Sequence, residues 1–203
     1  MRKQFLCGML LAGVMAFAGV ASADFIDFES DTAGLKPNGF SSVDSGAVTF
    51  TDSNGADLQV LSSGGSGETD GQSLVVFGDD AGFLIMDFTS LFNSISLDFG
   101  NDDPFFSSAG DTADLRLYNG GSQVGFVSVV MNRDDLMNQT IAYSGAAFDR
   151  AEFFYNVTGG GLIEVVDNIQ FDQAPIPEPA TMTLLGLGLA GLAARSRRNK
   201  SKA

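Results

Sequence analysis

The sequence predicts an all-β chain, an antiparallel β-sandwich or jelly roll of about ten strands. Three observations predict it. Short apolar stretches recur along residues 25–171, separated by polar, Gly-rich turns. Several alternate cleanly: in 94–99, Ile95, Leu97 and Phe99 fall on one face and Ser94, Ser96 and Asp98 on the other. No segment between residues 24 and 174 has a clear helical period.

The elements follow in order. Residues 25–28 form the first strand. Residues 31–46 read as a loop, because Lys36-Pro37-Asn38-Gly39 is a strong turn signal. Apolar stretches at 47–51, 58–61, 73–77, 83–88 and 94–99 come next. Leu115 and Leu117 then pair with Val124 and Phe126 across Asn119-Gly120-Gly121-Ser122, a hairpin. Residues 134–138 have room for one helical turn, and 139–143, 148–155 and 162–171 complete the strands. Asp52-Ser53-Asn54-Gly55 lacks the rest of an EF-hand loop and reads as a turn. Gly64-Gly65-Ser66-Gly67-Glu68-Thr69-Asp70 is a single Gly-Asp copy and reads as a loop.

The core is phenylalanine-rich. Sixteen of the 18 phenylalanines fall within residues 24–174. Burying each is worth roughly 1.5–3 kcal/mol, enough to stabilise about 150 residues without disulfides. Cys7 is the only cysteine and lies outside this segment. Phe105 and Phe106 follow Asp102-Asp103-Pro104. That loop is expected to plug one end of the sandwich; the alternative is an exposed binding edge.

Composition excludes much. Residues 24–174 contain no His, Cys or Trp, which removes Ser-His-Asp and thiol chemistry and ordinary zinc sites. No fixed spacing places two carboxylates on one strand beside aromatic platforms, as glycoside hydrolysis would need. The segment is therefore expected not to be an enzyme. Lys36, Arg116, Arg133 and Arg150 face 24 acidic residues, a net charge of −20. Such a surface repels nucleic acid and invites divalent cations.

The two ends carry transport signals. Met1-Arg2-Lys3 is a basic n-region, residues 5–20 are apolar, and Ala21-Ser22-Ala23 is a small-residue cleavage site. Residues 1–23 thus read as a signal peptide, its helix removed by signal peptidase after Ala23. At the other end stand Pro177-Glu178-Pro179, an uncharged apolar run at 180–194, and a basic cluster of Arg195, Arg197, Arg198, Lys200 and Lys202. Fifteen helical residues reach about 22 Å, short of the roughly 30 Å hydrocarbon core unless Arg195 snorkels and the bilayer thins. The basic residues form a stop-transfer cluster.

This order of parts resembles the PEP-CTERM sorting signal of bacterial exported proteins. The resemblance implies that residues 175–203 are recognised by an exosortase, which removes the transmembrane helix during export. Pro177, Glu178 and Pro179 would be the recognition motif, and the chain a substrate held briefly in the inner membrane. Three domains follow: the signal peptide (1–23), an exported β-sandwich (24–174) and the sorting signal (175–203).

One carboxylate asks for chemistry. Strand alternation puts Asp167 on the face of Ile163, Val165, Ile169 and Phe171, and a buried unpaired carboxylate is costly. Glu29 and Asp31, at the end of the first strand, are plausible companions for a calcium ion, which takes six to eight oxygens. Val166-Asp167-Asn168-Ile169 is also similar to the last strand of jelly-roll carbohydrate-binding modules. That resemblance implies a structural calcium held by Glu29, Asp31 and Asp167. The other reading is an Asp167 that is solvated or paired, with Arg150 as a partner. Function then divides in two: a non-enzymatic surface or extracellular-matrix protein associated with exopolysaccharide, or a calcium-dependent carbohydrate-binding module. Sugar faces usually stack on Trp or Tyr, and only Tyr118, Tyr143 and Tyr155 are present. Their alignment on one sheet face would favour binding; burial or scatter would favour the structural reading.

Overall fold

The computed structural model describes residues 23–55, 58–62, 71–77, 82–158, 161–174 and 187–188. Ten antiparallel strands lie within one unit, Ala21–Ala174. They are β1 (Ala23–Ile26), β2 (Gly34–Lys36), β3 (Val48–Asp52), β4 (Leu58–Ser62), β5 (Gln72–Val76), β6 (Leu84–Gly100), β7 (Thr112–Asn119), β8 (Ser122–Val130), β9 (Gln139–Asn156) and β10 (Glu164–Gln173).

The pairing makes two layers from one continuous path. The first half of β6 pairs with β3 on one side and with the second half of β9 on the other; β7 and β8 extend that sheet. The second half of β6 pairs with β10 and with the first half of β9; β5, β4 and β2 continue outward, and β1 adds to β10. β6 and β9 therefore belong to both sheets. Their shared register breaks between Asp87 and Ser94, where bulges let the pair bend from one layer into the other. The sequence reads each as two strands, because the bend interrupts the alternation at 89–93 and 144–147.

Aromatic rings fill the space between layers. Phe99 and Phe153 lie on strand segments that do not pair, yet their centroids are 5.8 Å apart. Phe28 meets Phe50 the same way at 5.6 Å. At the bend, Phe88 touches Phe92, Phe148 and Phe171 at 5.1–5.4 Å and closes the end of the core. Edge-on and tilted contacts suit the ring quadrupole. The phenylalanine-rich core expected from composition is present.

Four local expectations are corrected. β2 forms inside the segment read as a loop, pairing with β4. Residues 134–138 make no helical turn: Arg133 and Asp135 are left-handed (φ 65° and 61°), which breaks a right-handed helix. Phe105 and Phe106 do not plug the sandwich, being 90% and 64% exposed. Asp167 does not share the core face, because Asn168 (φ 48°) forms a bulge in β10. Val166, Ile169 and Phe171 point into the core, and Asp167 lies on the opposite face with Val165. Residues 63–70, the signal segment up to Ser22 and the sorting motif lie outside the described residues, as does the apolar run except Leu187 and Gly188. Among the described residues no helix is long and apolar enough to cross a membrane.

Candidate functional sites

Glu29 and Asp31 sit in the turn that leaves β1, where Phe28 is left-handed (φ 57°) and Asp31 N bonds Phe28 O. That turn points three backbone carbonyls at one atom. Gln72 Nε2 lies 3.1 Å from Phe28 O, 2.9 Å from Glu29 O and 3.1 Å from Asp31 O. An amide nitrogen carries two hydrogens, so three acceptors exceed what it can serve. The Glu29 carboxylate accepts Gln72 N at 2.6 Å beside them. The donor set is all oxygen, as a hard cation prefers.

The three carboxylates singled out from sequence do not converge. Asp31 is buried and accepts Ser42 Oγ at 2.5 Å and Val43 N at 3.1 Å, which ties down the 31–43 loop. Asp167, also buried, accepts Asn168 N at 2.7 Å and Ser73 Oγ at 3.3 Å. Arg150 is not its partner; it pairs with Asp87 at 2.6 Å on the other sheet. Among the described residues no three acidic side chains gather into a metal site. The sequence missed Gln72 because backbone carbonyls leave no trace in composition.

A second locus is the outward face of the sheet built on β7, β9 and the first half of β6. Cross-strand register lines up Asp87, Arg150 and Tyr118 in one row, and Ile85, Glu152 and Arg116 in the next. A cleft of about 470 Å³ opens there, lined by Asp87, Phe88, Tyr118, Asp149, Arg150 and Glu152. Three of its charged groups are held, those of Asp87, Asp149 and Arg150. Arg150 grips Asp87 through Nε and Nη2 at 2.6 and 3.2 Å, and that bond raises its already high pKa. Asp149 accepts Gly120 N at 3.0 Å from the β7–β8 turn. Burial first, and the nearby Glu152 carboxylate second, push the Tyr118 phenol's pKa up. Arg116 lies 4.2 Å over the Phe154 ring. Outward Arg116 and Tyr118 alternate with inward Leu115 and Leu117, the signal by which the sequence could have revealed this face.

The tyrosines are scattered. Tyr155 is buried and donates to Gly100 O. Tyr143 lies flat against Gly125 and Gly145, where a Cβ would come within 2.5 and 2.7 Å of it. Only Tyr118 among them lines the cleft.

The third locus is the loop after β6. Buried Asp102 accepts Arg133 N and Asp135 N at 2.5 and 2.8 Å. The Arg133 guanidinium returns 2.8 Å bonds to Pro104 O and Ser107 O. This clamp presents Phe105 and Phe106 to solvent.

Solved structures similar in fold include a cleaved adhesin domain of Lys-gingipain (14% identity, 75% of this chain and 99% of that one, TM-score 0.46). A family 29 carbohydrate-binding module complexed with mannohexaose is another (14%, 76% and 93%, TM-score 0.44). A third is the family 32 module from C. perfringens NanJ in complex with galactose (11%, 62% and 93%, TM-score 0.40). Likeness at this level carries no argument about function. No curated protein matches the chain. Residues 175–198 match the PEP-CTERM protein-sorting motif, so this chain carries that sorting signal at its C-terminal end.

Proposed function

We propose that this is a non-enzymatic surface or extracellular-matrix protein, associated with exopolysaccharide and sorted through its tail by an exosortase. The observation that carries the reading is the sorting motif at residues 175–198. The motif indicates an exported protein with a C-terminal membrane anchor before processing. In this reading signal peptidase cuts after Ala23, the apolar run holds the chain in the inner membrane, and Arg195, Arg197 and Arg198 stop transfer. The exosortase then acts at Pro177-Glu178-Pro179, and the acidic sandwich reaches the envelope or the matrix. Replacing all three motif residues with alanine in a producing bacterium tests it. Immunoblots of membrane and surface fractions should show the variant at full length in the inner membrane and the parent shortened and outside. Equal processing of both would defeat the proposal.

A second reading is a calcium-dependent carbohydrate-binding module. The convergence of three carbonyls on Gln72, beside Glu29, favours it. The turn at 28–31 and a rotated Gln72 side chain would hold the ion; Asp31 and Asp167 would brace the surroundings through Ser42 and Ser73. The ion would fix the turn in place. Polysaccharide binding lost in chelator supports this reading; binding in neither condition leaves the structural one.

A further inference from the structure

We propose that the cleft on the outward face of β6, β9 and β7 binds a neutral hexose polymer. This deepens the second reading above and rests on it. Asp87, Arg150 and Tyr118 form one row across three strands, a strip about 10 Å wide at the usual strand spacing. Glu152 stands one row along, and Phe126, opposite Arg116 on β8, is half exposed beyond it. Gly120 and Gly121 keep the rim low at the hairpin. The result is an open cleft with an aromatic side chain at its wall and charged groups on its floor.

The chemistry of those groups selects the ligand. Three carboxylates share one guanidinium, so an anion is repelled. A bare cation is disfavoured too: Asp87 holds Arg150 and Asp149 holds Gly120 N, and the guanidinium puts a positive charge inside the cleft. Held carboxylates keep spare lone pairs, and a held guanidinium keeps spare N–H groups. A ligand fitting both must donate and accept at closely spaced, uncharged positions, which vicinal hydroxyls do. Their ring's apolar face suits the Tyr118 side. An open strip across three strands, with half-exposed Phe126 on the next strand, suits a chain of such units better than one small molecule.

The test uses the full-length chain, purified in a detergent without sugar. Titration calorimetry is run with neutral hexasaccharides of glucose, mannose and galactose, and with polygalacturonate. At least one neutral oligosaccharide should bind saturably, and Tyr118→Ala and Arg150→Gln should each weaken it about tenfold or more. Tyr118→Phe carries the test if Tyr118→Ala fails to fold, with a weaker loss expected. Parent-level binding by the folded variants overturns this site and leaves the carbohydrate reading standing. No binding of any neutral hexasaccharide by the folded parent overturns both. Tighter binding of polygalacturonate overturns the ligand class.

Discussion

Tyr143 shows how much one ring can demand of its neighbours. Its hydroxyl reaches Val124 O and Ala146 O, and its ring meets Phe148 at 6.0 Å. A Cβ at position 145 would stand 2.7 Å from the phenolic oxygen, so the ring would have to leave both contacts. Gly145→Ala should therefore cost about 1–3 kcal/mol in urea unfolding, and much less in a Tyr143→Ala background. An equal cost in both backgrounds would place the effect in the backbone instead. Asp111 gives a pH-dependent counterpart. The Ser108 N–H at 2.7 Å is the main cause that lowers its pKa; burial opposes this, and Thr158 adds two further bonds. A lowered folded-state pKa means the contribution is full above the ordinary carboxylate range and lost as pH falls through the folded value. Asp111→Asn should lower stability at pH 6 and flatten the decline between about pH 4 and 2. A variant whose acid limb parallels the parent's would remove Asp111 from that account.

At the scale of elements, the bend shared by β6 and β9 is the feature on which the two layers depend. Phe148 is fully buried there and touches Phe88 and Tyr143. Phe148→Ala should cost about 3–5 kcal/mol through the cavity it leaves, whereas Phe105→Ala should stay within about 0.5 kcal/mol. Similar losses at both positions would mean that Phe105 packs in solution. The bulge at Asn168 is open to the same treatment. A β-branched residue resists φ near 48°, and Asn168 also donates to Asp98 at 3.1 Å. Asn168→Val should then destabilise by about 1–3 kcal/mol and Asn168→Gly by less; the reverse order would sink the bulge argument. These elements also show what was legible in the sequence. Alternation is local, so 94–99 and the hairpin around Gly120 could be read directly. Bulges are not local in that sense: one extra residue at Asn168 turned Asp167 from the core face to the other side. The convergence of carbonyls on Gln72 was half legible. Glu29 and Asp31 mark the right turn, but their carbonyls, met by Gln72 from 41 to 43 residues away, do the converging.

For the whole molecule, the governing fact is a net charge of −20 on the exported segment. Only one ion pair, Arg150 with Asp87, is formed among the described residues, so most of that charge acts as mutual repulsion. Repulsion of this kind is screened by any salt, over about 10 Å at 0.1 M. A carbonyl cradle answers only to a cation that fits it. The two can be separated by melting the chain in sodium chloride and in calcium chloride at matched ionic strength. Screening alone predicts the same melting temperature in both. Occupation of the turn at Phe28, Glu29 and Asp31 predicts an extra rise in calcium that chelator reverses, as ligand binding to the folded state requires. Gln72→Ala should leave the sodium response intact and change the calcium increment, because it removes the side chain on which the three carbonyls converge. An extra rise that survives Gln72→Ala and Glu29→Gln alike would move the ion elsewhere on the acidic surface. No extra rise in the parent would leave the amide of Gln72 as the sole occupant of the cradle, and the sandwich as a fold that stands without metal.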